Sequence, residues 1–262
     1  MAEIVFLGTG NAFSAGRRGN LALLIETSGF RMLVEAGPVI MEQLTRANLR
    51  APDIEYLFIS HSHGDHTLGF PMLTLNRLRA SNSLHVYAGS HTIAILQTLG
   101  ALTFSNLKPH PTNIQWHELS EQGPDETSLA AGVTLRTAVL DHPPGVPTLA
   151  ARWDFAGGPS ITFATDTRAC DATVELARGS DLLIHESSFS AVLQPDADPG
   201  LHFHSTAQQA GEIARRAGCP RLALVHLAPE IGKYPDVLLE EARAGTDLQV
   251  IIPEDGERLS LV

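Results

Sequence analysis

Cysteine is scarce: Cys170 and Cys219 are the only two in 262 residues. That number excludes the disulfide framework of small secreted domains and fits a reducing compartment. Basic charge is also short, with 18 Lys and Arg against 29 Asp and Glu and a formal net charge of −11. Such a balance argues against an extended nucleic-acid-binding patch, which needs a positive surface. A local basic patch or bound metal ions could still supply positive charge at one place. No basic stretch leads into a long apolar region after Met1, so no signal peptide is visible. No apolar run approaches the roughly 20 residues of a membrane span. These absences predict a soluble, cytoplasmic chain with no membrane partner. Internal repeats are missing too. What is present is a large apolar fraction, 44%, with 18% charged residues, enough to bury one large core, and residues 1–262 are expected to form a single domain.

Hydrophobic patterning divides the chain into alternating strands and helices. Ile4 to Leu7 reads as a strand leading into the loop Gly8-Thr9-Gly10-Asn11-Ala12-Phe13. That loop lacks the third glycine and immediate helix of a dinucleotide fingerprint, so that reading is rejected. Leu21 to Ile25 and Arg31 to Glu35 suggest a hairpin, Pro38 opens a helix through Leu49, and Asp53 to Ser60 reads as a strand. Leu68, Met72, Leu75 and Leu78 recur at helical spacing, Leu84 to Ala88 reads as a strand, and His91 to Leu99 as a short helix. Polar residues with Pro109 and Pro111 make Thr103 to Gln122 a loop with a short strand near Trp116, and Gly123-Pro124-Asp125-Glu126 connects two halves.

In the second half Val133 to Leu140, Thr148 to Phe155, Ser160 to Ala164, Asp181 to Ile184, Leu222 to Val225, Gln249 to Ile252 and Leu259 to Val262 read as strands. Helices are expected over Asp171 to Arg178, Ser205 to Ala217 (ending at Gly218) and Pro235 to Ala244. Two mixed halves predict sheets packed face to face with helices outside.

The informative stretch is His61-Ser62-His63-Gly64-Asp65-His66, directly after the apolar run Tyr56-Leu57-Phe58-Ile59-Ser60. Imidazole nitrogens and carboxylate oxygens suit a borderline cation such as zinc. Extended backbone sends His61 and His63 to one side, while Asp65 and His66, past the turn, can face a second ion or activate a water. The bland alternative is a polar loop of solvated histidines. A metal site demands further ligands on rigid strand ends. Asp141-His142 follows Leu140, Asp166 follows Phe163-Ala164-Thr165, and His226 follows Leu222-Ala223-Leu224-Val225.

These residues resemble the HxHxDH motif of the metallo-β-lactamase superfamily and its later ligand positions. The likeness narrows to the ribonuclease Z-like branch. Phe6 to Phe13 resembles its opening, Phe163 to Asp171 its aspartate motif, and Asp181 to Phe189 its strand ending in a His-Glu pair. His204-Ser205-Thr206-Ala207 is similar to its His-Ser/Thr motif, and Glu254-Asp255-Gly256 to its ending.

The resemblance implies an α/β, four-layer αββα sandwich with two metals at one edge. Zinc is the usual ion, and manganese or iron the alternatives. Carried over residue by residue, His61, His63 and His142 hold one ion, Asp65, His66 and His226 the other, and Asp166 bridges both. A hydroxide between the ions would be the nucleophile, with Asp65 orienting it. The match to His204 protonates the leaving group, and the match to Glu186 steadies its imidazole. A homodimer is implied by the resemblance alone.

Each residue has a plainer reading. Asp141 is a turn or supporting residue. His185 is a hydrogen-bonded support behind the metals, and His202 competes with His204 for the acid role. Ser205 suits a helix cap. His85, His91, His110 and His117 are ordinary residues, Arg17 and Arg18 solvated loop charges with phosphate contact as the alternative, and Cys170 and Cys219 small buried side chains.

Two departures from the branch matter. Only a compact stretch with the turn Ala156-Gly157-Gly158-Pro159 lies between His142 and Asp166, leaving no room for the branch's transfer-RNA-gripping arm. Val34-Glu35-Ala36-Gly37 carries Glu35 where the branch commonly has aspartate, which is one methylene shorter.

The leading expectation is a dinuclear zinc hydrolase of a small phosphodiester, with short RNA also a candidate substrate. The alternatives are hydrolysis of a lactone, β-lactam or sulfate ester, an iron oxidoreductase on the same scaffold, and a catalytically silent binding scaffold.

Overall fold

Strand β1, Ala2–Gly8, is apolar on both faces, and its two faces enter different cores. Ile4 and Phe6 join one buried cluster while Val5 and Leu7 join another. A strand buried on both sides belongs to a sheet covered on both sides. The computed structural model describes residues 1–13, 18–103 and 113–261. Arg17, His110 and the prolines at 109 and 111 lie outside them.

After β1 come β2 (Ala22–Thr27), β3 (Phe30–Val34), helix α1 (Ile40–Arg46), β4 (Tyr56–Phe58), α2 (Gly64–Thr67), α3 (Phe70–Leu75), β5 (Leu84–Gly89), α4 (Ser90–Thr103) and β6 (Ile114–Leu119). The second run is β7 (Asp125–Ser128), β8 (Val133–Val139), β9 (Leu149–Phe155), β10 (Ser160–Ala164), α5 (Asp171–Ala177), β11 (Leu182–Glu186), α6 (Ala207–Ala217), β12 (Arg221–Val225), α7 (Pro235–Arg243), β13 (Gln249–Ile251) and β14 (Arg258–Leu261).

These strands form two seven-stranded sheets, ordered β14-β1-β2-β3-β4-β5-β6 and β13-β12-β11-β10-β9-β8-β7. The first is antiparallel through β14-β1-β2-β3 and parallel from β3 to β6. The second is antiparallel from β7 to β10 and parallel from β10 to β13.

Between the sheets lies the largest core, including Phe6, Phe58, Trp153 and Phe163. Phe58 and Trp153 meet edge to face at 5.8 Å. Ile40, Leu44, Phe70, Leu73 and Leu96 cover the outer face of the first sheet; Val174, Ile213 and Leu238 cover that of the second. This is the expected αββα sandwich. Among the described residues no helix is long and apolar enough to cross a membrane.

Several expectations change. The helix from Pro38 shortens to α1, because Pro38 sits in the turn before Ile40. The strand from Asp53 shortens to β4, because Asp53 closes a 3-10 turn through the Arg50 backbone N–H. The helical spacing from Leu68 shrinks to α3, which holds Met72 and Leu75 while Leu68 and Leu78 lie outside it. The Gly123-Pro124-Asp125-Glu126 connection already contains the start of β7, a strand whose polar sequence hid it. The division into two halves also fails at the end, because β14 returns to pair with β1. Arg18 is not a solvated charge. It donates to Thr9 Oγ1 at 2.6 Å and to the Pro253 carbonyl at 2.7 Å, and pairs with Glu254. His85 and His117 pair at 2.9 Å inside a stack with Tyr56 and Tyr87.

Candidate metal centre

Parallel strands bring their carboxyl ends to one edge, and the candidate residues follow those ends. Ser60 and His61 come just after β4, Asp166 after β10, Glu186 ends β11, and His226 follows β12. His142 joins them from the loop after β8. Glu35, Asp166 and His226 have φ of 68°, 50° and 56°. Left-handed backbone is unfavourable for non-glycine residues; here it turns the chain sharply off a strand and leaves the side chain at the sheet edge. Gly37 serves the same edge: a Cβ there would collide with the Asp65 carbonyl.

The seven predicted ligands converge into two groups. One is His61, His63, His142 and Asp166; the other is Asp65, His66, Asp166 and His226; within each, the ligand atoms lie within 4.8 Å of one another. His66 Nε2 is 3.1 Å from Asp65 Oδ2 and 3.4 Å from Asp166 Oδ1. His226 Nε2 lies 3.4 and 3.3 Å from the same two atoms. On the other side His61 Nε2 is 3.7 Å from Asp166 Oδ2, and His142 Nε2 is 3.3 Å from His63 Nδ1. Asp166 thus offers one oxygen to each group. In a tetrahedral shell with zinc bonds of about 2.0–2.1 Å, ligand atoms sit about 3.3 Å apart, so these spacings suit a cation.

The fit has a second test. Nε2 of His61 and Nε2 of His66 are buried without a hydrogen-bond partner. Buried polar atoms are normally satisfied, so an orphaned pair facing carboxylates marks a place for an ion.

The opposite ring nitrogens of His61, His226 and His142 are hydrogen-bonded within the protein, whereas His66 Nδ1 meets the Glu35 carboxylate at ion-pair distance without a hydrogen bond. Ser60 Oγ is 2.9 Å from His61 Nδ1, Ser188 Oγ 2.9 Å from His226 Nδ1, and Glu35 Oε2 3.4 Å from His66 Nδ1. The Phe203 carbonyl is 3.4 Å from His142 Nδ1. Glu35 accepts from the Ser60 backbone N–H at 3.1 Å. Its extra methylene therefore still reaches behind the ligands. Ser60 and Ser188 were missed as supports in the sequence, although both sit inside quoted motifs; hydroxyls beside histidines are too common to signal a role.

Burial drives the His142 imidazole down to about 4. Burial, reinforced by the neighbouring His66, likewise holds His61 well below the ordinary histidine range. Both therefore present lone pairs at neutral pH. Burial opposes charge on Asp166, yet His226 and His66 hold its carboxyl well below the usual range. Burial also opposes charge on His66, but Asp166, Asp65 and Glu35 raise it well above the ordinary value. The carboxylates thus create a field that favours positive charge where the two groups meet.

Glu186 and His204 stand beside this cluster. Glu186 is fully buried, and its Oε1 accepts from Thr167 N–H at 3.0 Å, Ser205 N–H at 3.2 Å and His204 Nδ1 at 2.9 Å. Oε2 accepts from Ser188 N–H at 2.9 Å. Burial disfavours the His204 imidazolium, but the Glu186 carboxylate outweighs it and raises the group to about 9. His202 instead stacks on Phe189, with ring centroids 5.6 Å apart, and it is His204 that pairs with Glu186.

His185 is buried with Nδ1 2.8 Å from the Glu186 carbonyl and joins neither ligand group. Asp141 faces Arg168. Thr206, not Ser205, caps α6, in a reciprocal pair with Gln209; Ser205 Oγ donates to the Thr167 carbonyl. Cys219 is buried as expected, while Cys170 is only partly covered.

Known proteins resemble this chain along most of its length. A family model described as Beta-lactamase superfamily domain matches residues 30–227. Ribonuclease Z of Methanosarcina acetivorans is 27% identical over 97% of this chain and 96% of that protein. Among solved structures, the metallo-beta-lactamase fold protein YhfI from Bacillus subtilis has a TM-score of 0.80 at 23% identity, covering 98% of each chain. Human tRNase Z, short form, gives 0.80 at 23% identity over 99% of each chain.

Proposed function

The chain belongs to the beta-lactamase superfamily, and from that premise we propose that it is a metal-dependent hydrolase of phosphodiesters with a dinuclear zinc centre. The single observation that carries the reading is the paired ligand set sharing Asp166, with Glu186 and His204 at its side. A ligand set alone would suit several ester hydrolases. A buried carboxylate that keeps an adjacent imidazole protonated suits a reaction whose leaving oxygen needs a proton.

His61, His63, His142 and Asp166 would hold one ion, and Asp65, His66, Asp166 and His226 the other. When bound, such ions would lower the pKa of a coordinated water and neutralise charge developing on phosphoryl oxygen. Asp65, held close to His66 and His226, orients the attacking water. Glu186 occupies His204 Nδ1, so the transferable proton is the one on Nε2, delivered to the departing alkoxide as its bond to phosphorus breaks. The four donors to Glu186 keep that carboxylate ionised and fixed while the proton leaves.

A small diester or a short RNA fits better than transfer RNA. Between His142 and Asp166 the chain holds only β9, the turn at 156–159 and β10, paired as a hairpin. The alignment with the Methanosarcina relative runs over 297 positions against a chain of 262 residues, so that relative carries segments this chain lacks. The pairing of β14 with β1 supports one domain across residues 1–262. The homodimer, carried by resemblance, is decided by sedimentation of the purified protein.

The test is a substrate panel with metal analysis. Purified protein should contain zinc and cleave bis(p-nitrophenyl) phosphate, lose turnover in chelator, and regain it with zinc or manganese. A lactone or aryl sulfate that outpaces every phosphodiester would replace this reading with the second ester class.

A further inference from the structure

Arg168 is the residue that the proposed chemistry leaves without a task. It lies two positions after Asp166, yet its contacts reach two other segments. Its backbone N–H donates to the Asp141 carbonyl at 3.0 Å, next to His142. Its Nε donates to the Gly200 carbonyl at 2.7 Å, and its guanidinium carbon lies 3.8 Å above the centre of the Phe203 ring. A third contact is the Asp141 carboxylate, 3.4 Å from Nη1.

The segment held in this way carries His204. It runs through a 3-10 turn at Pro199–His202 to Phe203, which is left-handed at φ 59°. Nothing about a phenylalanine favours that conformation, so surrounding contacts must fix it. Two do so: the Phe203 carbonyl faces His142 Nδ1 at 3.4 Å, and the Phe203 ring lies under Arg168. The Gly200 carbonyl accepts both Arg168 Nε and the Phe203 N–H, the latter at 3.3 Å, and the His204 N–H returns to Pro199 at 3.0 Å. The bend that presents His204 to Glu186 is therefore closed from outside by one side chain.

We propose that Arg168 is a positioning residue for the leaving-group proton, clamping Gly200 and Phe203 so that His204 stays on Glu186. The proposal rests on the phosphodiesterase reading given above. A planar guanidinium can stack on a ring and donate from Nε at once; an ammonium cannot. Arg168→Lys should therefore behave nearly like Arg168→Ala. Phe203→Leu, which keeps the Gly200 bond, should lose part of the same effect, and the double variant should be no worse than Arg168→Ala.

The experiment uses the zinc-loaded enzyme and two diesters. A dinucleoside monophosphate leaves an alkoxide that needs a proton; bis(p-nitrophenyl) phosphate leaves a phenolate that does not. General acids contribute about 10²–10⁴-fold, so a mispositioned one should cost roughly 10- to 100-fold in kcat on the dinucleoside. The aryl ester should slow far less, with KM and metal content little altered. A second readout is independent of turnover. In wild-type protein the His204 Nδ1 proton, held by Glu186, should give a downfield, slowly exchanging NMR signal, and this signal should vanish in Arg168→Ala and Arg168→Lys.

Equal losses on both esters, or a signal that persists, would overturn the proposal in favour of general support of the fold. A raised KM with kcat retained would instead make Arg168 a substrate contact. Wild-type protein that cleaves neither diester sinks the phosphodiesterase reading, and the NMR signal then still decides whether Arg168 positions His204.

Discussion

Oε1 of Glu186 lies 2.9 Å from Nδ1 of His204, and two backbone N–H groups, of Thr167 and Ser205, donate to the same oxygen. One atom therefore fixes the imidazole and the two turns beside it. Burial alone would strip the proton from His204; the carboxylate keeps it there up to about 9. Because the folded value is raised, the stabilising charge pair is complete below the ordinary histidine value of about 6.5. It is lost as pH rises through about 9.

From this pair comes a prediction about rate. With a dinucleoside monophosphate, kcat/KM should hold through neutral pH and fall above about 9 as His204 deprotonates. In Glu186→Gln the raising charge is gone while burial remains, so the basic limb should move down to near or below about 6.5. A pH–rate profile of both proteins measures the shift, and a limb that stays in place in the variant would remove Glu186 from its assigned role.

The site was more legible in the sequence than the elements that carry it. His61 to His66, His142, Asp166 and His226 could be read because ligand chemistry restricts residue type and each stands after an apolar strand. Element ends were harder. Pro38 and Asp53 look like boundaries of longer elements, but tertiary contacts decide where the turns fall. β7 was hidden because Asp125–Ser128 has no apolar alternation to reveal it. The burial of Arg18 depends on Pro253 and Glu254, 235 and 236 residues away, a pairing that no local pattern encodes. Arg168 is another such case, since its task depends on where Phe203 is placed.

Metal removal should be visible in stability as well as rate. Nε2 of His61 and of His66 face carboxylates with no hydrogen-bond partner, so an ion there would bind the folded chain in preference to the unfolded one. At about 100 times its dissociation constant, one ion stabilises by about 2.7 kcal/mol, a shift in Tm of roughly 5–10 °C for a domain of this size. Calorimetry with zinc and with chelator reads it. Asp166→Asn, which weakens both groups together, should lower bound zinc below one per chain by elemental analysis; retention of two ions would remove Asp166 as the bridge.

The termini are tied through Asp255. Its Oδ1 accepts from Thr9 N–H at 3.0 Å and from Thr9 Oγ1 at 2.9 Å, and its Oδ2 from Gly19 N–H at 2.5 Å. Hydrogen bonds to a charged acceptor contribute about 1.5–3 kcal/mol each in favourable cases. Asp255→Asn keeps the shape but loses the charge and one acceptor, so chemical denaturation should show a loss of about 1–3 kcal/mol. An unchanged midpoint would mean that the loop after β1 is held by Arg18 alone.

Glu35 gives the sharpest test of how the ligands are supported. It is fully buried, left-handed at φ 68°, and its carboxylate spans the Ser60 N–H at 3.1 Å and His66 Nδ1 at 3.4 Å. Aspartate from the same backbone falls one methylene short and cannot serve both. Partners behind metal-binding histidines are worth about 10–100-fold in metal affinity. Glu35→Asp should therefore weaken zinc binding by about that factor, with turnover recovering as zinc is raised to saturation. Glu35→Gln keeps the reach but removes the negative charge facing His66, and should weaken zinc binding while sparing the Ser60 contact. Competition titration against a zinc-binding dye separates the two variants. If Glu35→Asp binds zinc as tightly as the wild type, length at this position does not matter and the contact with His66 is incidental.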